Sequence, residues 1–139
     1  MKKSPTPGRM SLHAFTLTEL LVVLVIIGIL VLLALPKLMP LISKARSTEA
    51  KLQLEHLHTL QKSYFYLHSK YSENLEEIGF EHEKLVSDGG AANYRIEIME
   101  ASNAGFKATA TAITDFDADG VFNVWEIDQE KNLVEVEKD

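Results

Sequence analysis

The sequence contains no cysteine. That absence excludes a disulfide staple, a thiolate metal centre and a cysteine nucleophile together. There is no H-E-x-x-H pair and no glycine-rich phosphate loop, and the serines have no recognisable catalytic setting. The five histidines, His13, His56, His58, His68 and His82, do not form a ligand set. His56 and His58 are two apart, which turns them to different faces of a helix. Nothing here reads as an enzyme. Positive charge is also scarce: 14 Lys and Arg against 20 Asp and Glu leave a formal net charge of −6. A body that acidic is poorly matched to the phosphates of nucleic acid.

What the chain does have is one long apolar run. Phe15–Leu35 holds a single charged residue, Glu19, and from Leu20 to Leu35 no polar side chain at all. At about 1.5 Å per helical residue this stretch spans roughly 31 Å, the thickness of a bilayer's hydrocarbon core. A carboxylate within such a span costs about 2.5–3.5 kcal/mol on insertion scales, unless a cation meets it. Lys2, Lys3 and Arg9 precede the span while Lys37, Lys44 and Arg46 follow it, so basic flanks alone do not orient it. The residues beyond it suffice for one modest core.

Residues 1–14, MKKSPTPGRMSLHA, are short, basic and without an apolar run of their own. A secretory signal places its apolar region before a small-residue cleavage site. Here the small residue, Ala14, precedes the apolar stretch, so a cut after it keeps the helix and makes Phe15 the new N-terminus. The run Ala14–Phe15–Thr16–Leu17–Thr18–Glu19–Leu20–Leu21, with Pro36 further on, resembles the cleavage and methylation signal of type IV prepilins and pseudopilins. The resemblance covers about residues 9–40 and departs from the family in one place, Ala14 standing where glycine is usual.

The resemblance implies cleavage between Ala14 and Phe15 by a prepilin peptidase, N-methylation of Phe15, and assembly through Glu19 and Pro36. Glu19 would meet the Phe15 amine of an adjacent copy, and Pro36 would mark where the helix loosens as subunits pack. An ordinary signal anchor, with Glu19 at the membrane interface, is the competing reading of that residue. The implied organisation is a leader at 1–14, a transmembrane and assembly helix at 15–38, and a body at 39–139 lying in the periplasm. The implied partners are further copies of the chain, minor pilins or pseudopilins, an inner-membrane assembly platform and its ATPase.

From Leu41 to Tyr71 the pattern turns amphipathic: Ala50, Leu54, Leu57, Tyr64, Leu67 and Tyr71 recur at helical spacing, flanked by Lys44, Arg46, Lys51, Glu55 and Lys62. One helix is therefore expected from Phe15 into the low seventies. Ser72–Gly79 offers caps, acids and a terminating glycine for a short helix or turn, and Asp88–Gly89–Gly90 reads as a turn. Strands follow. Tyr94, Ile96 and Ile98 alternate, then Phe106, Ala108, Ala110 and Ala112, joined by a hairpin at Asn103–Gly105. Phe122, Val124 and Ile127 mark a third strand less regularly, and Leu133–Val136 suggests a fourth. The expectation is an α+β body: a long N-terminal helix on a small antiparallel sheet of three or four strands, pilin-like in architecture.

Asp115–Phe116–Asp117–Ala118–Asp119–Gly120, followed by Asn123 and Glu126, fits the twelve-position pattern D-x-D-x-D-G-x₅-E of a calcium loop. Its ligands would be Asp115, Asp117, Asp119, the Val121 carbonyl, Asn123 and Glu126. The flanks read as strands rather than the helices of an EF-hand, so an acidic turn without metal is the alternative. The resemblance adds that major pseudopilins carry a structural calcium near the C-terminus, where many pilins use a disulfide. Three functions remain open at this level. They are a pseudopilin of a type II secretion system, a surface type IV pilin serving adhesion, motility or DNA uptake, and a membrane-anchored calcium-dependent binding module.

Overall fold

In the computed structural model, which describes residues 14–139, helix α1 runs Leu17–His68. Of the expected leader only Ala14 is among the described residues, and His13 lies outside them. The chain divides into two compact units, one ending at Pro36 and the other comprising Lys37–Asp139.

In the first unit every large apolar side chain of Leu20–Leu35 is exposed, Leu32 at 71%. A helix that is apolar around its whole circumference has no stable place in water; it belongs in lipid or among other helices. Among the described residues α1 alone is long and apolar enough to cross a membrane. Pro36 and Pro40 fall within the bounds of α1, where each proline removes one intrahelical hydrogen bond.

In the second unit the helix buries a stripe at Ser47, Ala50, Leu54, Leu57 and Gln61, spaced alternately three and four apart. The stripe departs from the apolar pattern at its end. Leu67 is 81% exposed, and α1 stops at His68 with Ser69 in the left-handed region at φ 56°. The inward position is taken instead by Gln61, whose amide satisfies the chain where it turns: Nε2 donates to the Ser72 carbonyl (2.7 Å) and Oε1 accepts the Ser72 N–H (3.0 Å). Apolar periodicity cannot reveal such a residue, because it is buried for its hydrogen bonds. Ser72–Gly79 forms turns rather than a helix, ended by Gly79 at φ 75°. A short 3-10 helix, Val86–Asp88, ends at Gly89, which is left-handed at φ 81°.

Four antiparallel strands complete the body: β1 (Tyr94–Ala101), β2 (Phe106–Ala112), β3 (Val124–Asp128) and β4 (Leu133–Glu137), neighbours in that order. Tyr94 and Ile96 of β1 and Phe106, Ala108, Ala110 and Ala112 of β2 point inward as their alternation requires. On β3 the inward pair is Trp125 and Ile127, whereas Val124 is half-buried and Phe122 exposed. Counting back by two from Ile127 finds Trp125, and Val124 falls on the opposite face, which is why the alternation looks irregular in the sequence. The inner faces of sheet and helix form one core around Leu54, Leu57, Tyr94, Phe106, Trp125 and Ile127. Outside it, Lys107 of β2 pairs with Glu126 of β3 at 3.2 Å.

The alanines of β2 leave no spare room beneath the helix: Ala108 and Ala110 are fully buried. Ala110→Leu is expected to destabilise the body by about 1–3 kcal/mol through overpacking. Thr109→Val, on the outer face beside it, should change stability by less than about 0.5 kcal/mol. Urea unfolding of the detergent-solubilised chain, followed by Trp125 fluorescence, measures both.

Candidate functional site

Two places carry chemistry, and the first is the start of α1. Thr16 precedes the first helical residue, Leu17, and Glu19 lies in the first turn. The Thr16 Oγ1 accepts the Glu19 N–H (3.2 Å), and Glu19 Oε2 accepts the Thr16 N–H (3.4 Å). This reciprocal pair is a capping box, which satisfies two backbone donors that a helix start leaves free. The carboxylate also sits where the helix dipole favours negative charge. So one physical reason for an acid at position 19 is local. The pattern Thr-x-x-Glu before an apolar run was present in the sequence, and the role of Thr16 could have been read from it. Phe15 stands just outside the cap with its side chain 79% exposed. A cut after Ala14 would therefore place a new amine within two residues of the first helical turn. Pro36 lies inside α1, distant in sequence from this cap.

The second place is the acidic loop between β2 and β3. Asp115 organises its backbone: Oδ1 accepts the N–H of Ala118 (2.6 Å) and Asp119 (3.3 Å), and Oδ2 that of Gly120 (2.7 Å). Asp117 Oδ1 accepts the Asp119 N–H (3.1 Å), and Asp119 Oδ1 the Val121 N–H (2.7 Å). These bonds hold Ala118 at φ 64° and Gly120 at φ 91°, both left-handed. An alanine there costs about 1–2 kcal/mol. The Gly120 N–H foremost, with those of Ala118 and Asp119, keeps the Asp115 carboxyl below its ordinary range. Asp117 is pushed the other way, by partial desolvation first and then by the charges of Asp119, Asp139 and Asp115.

Of the four acids in the sequence pattern, two come together, with a third from outside it. Asp115 and Asp117 are joined by Asp139, one carboxylate oxygen from each lying within 4.8 Å of the others. Asp139 also braces the loop, its carboxylate accepting the N–H of Phe116 (2.7 Å) and Asp117 (3.2 Å). Its spacing from Asp115 follows no loop motif, and the turn of β4 back along β3 is what delivers it. Asn123 and Glu126 do not join the cluster. Glu126 is a β3 residue on the outer face, held by Lys107.

Asn123 is fully buried in a different role. Its Oδ1 accepts from Tyr94 Oη (2.7 Å) and Trp125 Nε1 (2.7 Å), while Nδ2 donates to Glu135 Oε1 (2.8 Å) and the Glu137 carbonyl (3.0 Å). One amide thus ties β1, β3 and β4 together below the loop. Burial chiefly, then the charges of Glu49, Asp139 and Glu135, holds the Tyr94 phenol well above its usual range. Arg46 and Lys51 of α1 lie over the rings of Phe116 (4.6 Å) and Trp125 (4.2 Å), cation–π contacts that fasten the loop region to the helix.

Residues 9–35 match the family described as prokaryotic N-terminal methylation motif. The chain is also similar to the Type IV major pilin protein PilA of Myxococcus xanthus (strain DK1622), 40% identical over 84 residues. That match takes in 60% of this chain and spans 36% of the length of the relative.

Two outcomes follow from the buried amide. Asn123→Ala leaves the Tyr94 hydroxyl and the Trp125 indole N–H without their acceptor, costing about 1–3 kcal/mol for each donor left unpaired. Denaturant unfolding with tryptophan emission reads this loss. Tyr94 keeps its proton in the fold beyond the pH at which an unfolded tyrosine, near 10, gives it up. Its contribution is therefore complete below pH about 10 and declines as pH rises further. Tyr94→Phe should flatten that alkaline decline in melting temperature relative to wild type.

Proposed function

We propose that this chain, supported as a type IV pilin-family protein by its methylation motif and its pilin relative, is a filament subunit cut between Ala14 and Phe15. The single observation that carries this reading is the helix start: a capped carboxylate, Glu19, at the head of an apolar helix exposed on every side. Before assembly the span anchors the chain in the inner membrane, with the body in the periplasm. During assembly the spans leave lipid for one another, and the amine of Phe15 on one copy meets Glu19 on the next. A charge pair of this kind fixes register, because an offset copy would bury both charges unpaired. The peptidase, the assembly platform with its ATPase, and minor subunits are the partners this process requires. The helix and not the body carries self-association, which separates a filament subunit from a tethered binding module.

The small cysteine-free body and its acidic loop support a type II secretion pseudopilin. The Myxococcus relative, a type IV major pilin, supports a pilus pilin instead. Calcium suits the loop in either case. Asp115, Asp117 and Asp139 offer hard oxygens at a spacing one cation can bridge. Bound there, the ion would clamp the β2–β3 loop to the end of β4, a structural service for a small core that has no disulfide.

Substitution at Glu19 tests the pairing. Glu19→Gln keeps a hydrogen-bonding side chain at the cap and removes the charge. It should lower the amount of assembled subunit about tenfold while the cut chain still accumulates in the membrane. Assembly at the wild-type level would leave Glu19 only its capping role and overturn the pairing. For the ion, the melting temperature of the solubilised chain should rise with calcium over chelator, by about 2.7 kcal/mol of stability at a hundredfold excess over Kd. Asp117→Asn should abolish the rise and Glu126→Gln preserve it. No difference between calcium and chelator would remove the ion from the account.

A further inference from the structure

β1 is an edge strand of the sheet, met by the preceding turns at Ile96 through His82 and just past its end where the Tyr71 N–H donates to the Ser102 carbonyl, and a groove of about 780 Å³ runs beside it between these contacts. The turns before the strand form its other wall. Leu75, Phe80, Ile96 and Ile98 make its apolar floor, while Glu73, Glu76, Glu81 and Glu97 stand around it. Among the described residues no lysine or arginine lines it. The backbone at this edge is aimed into the groove. The Ile96 N–H turns away from β2 and donates to Nε2 of the exposed His82 at 2.9 Å, with Nδ1 of that ring 2.6 Å from the Glu83 carbonyl. The imidazole therefore occupies the place a neighbouring strand's carbonyl would take. Ile98, two residues on and paired with Ala108 in the same register, presents its N–H and C=O in the same direction, just before the bulge between Ile98 and Glu100.

We infer that this groove takes an extended, basic segment of a partner protein, added as a fifth strand alongside β1, with Lys or Arg alternating with apolar residues. Pairing with the Ile98 peptide groups supplies the main-chain bonds of strand addition. The period of two sends apolar side chains onto Leu75, Phe80 and Ile98 and basic ones toward Glu81 and Glu97. An acidic wall selects against acidic strands, including another β4 of this chain with Glu135 and Glu137. The bulge after Ile98 limits the pairing to a short segment, so the contact is brief and salt-sensitive rather than permanent. This surface belongs to the body and stands apart from helix-mediated assembly.

The test is fluorescence anisotropy of the full chain in a non-ionic detergent, using a labelled peptide of alternating Lys and Val. Glu81→Gln with Glu97→Gln should weaken binding about fivefold. A control pair outside the groove, Glu130→Gln with Glu137→Gln, should leave it unchanged. N-methylation of alternate peptide amides should weaken it about tenfold, and binding should slow hydrogen exchange at the Ile98 amide. Equal losses in the two double variants would reduce the attraction to net charge and overturn the site. Undiminished binding of the N-methylated peptide would overturn strand addition. Ile98 protection that follows the chain's own concentration without peptide would assign the edge to a second copy, which also overturns the proposal.

Discussion

The constraint on which the structure depends is a helix apolar on all sides with one carboxylate at its head. Water excludes the span, and lipid excludes the charge. The capping box resolves half of this conflict locally, because Glu19 and Thr16 satisfy each other's backbone groups at the helix start. What it leaves is the negative charge, which a cation brought alongside would offset. An amine created at Phe15 is the nearest candidate in sequence, and the same amine on another copy can serve equally. Under the proposed function, the chemistry of processing and the chemistry of assembly would meet on one residue.

The second unit obeys ordinary rules for a small domain. Leu54 and Leu57 of the helix share one core with the alanines of β2, whose small side chains add little bulk to it. So thin a core relies on polar ties. Gln61 closes the turn after α1, and Glu49 accepts both the backbone and side-chain N–H groups of Asn93 at 2.7 and 2.8 Å. Asn123 links three strands. The acidic loop rests on the last of these ties, which makes it a lid on a polar network rather than an appendage.

Much of this was legible in the sequence. The apolar span, the long helix, the alternation of β1 and β2 and the hairpin between them follow from periodicity alone, because side-chain direction repeats there with a fixed period. Legibility failed where burial served hydrogen bonding. Gln61 and Asn123 are polar, so hydrophobic patterning passes over them, and Leu67, still within α1 but six residues past Gln61, falls off the buried face. The acidic cluster departs from the loop pattern for a related reason. A motif assumes that consecutive loop residues converge, whereas here Asn123 and Glu126 already belong to the β3 region, and Asp139 arrives from the end of β4, the neighbouring strand. Three-dimensional return of the chain leaves no local trace.

The most direct measurement of the central claim is the intact mass of the chain recovered from filaments sheared from cells and from washed envelopes. A filament subunit cut after Ala14 has the mass of a chain beginning at N-methylated Phe15, and that species is expected in an assembled fraction. Found in sheared filaments it is a surface pilin; confined to envelope assemblies it is a pseudopilin. An assembled chain that retains residues 1–14, or a processed chain that never leaves its monomeric membrane form, would contradict the account.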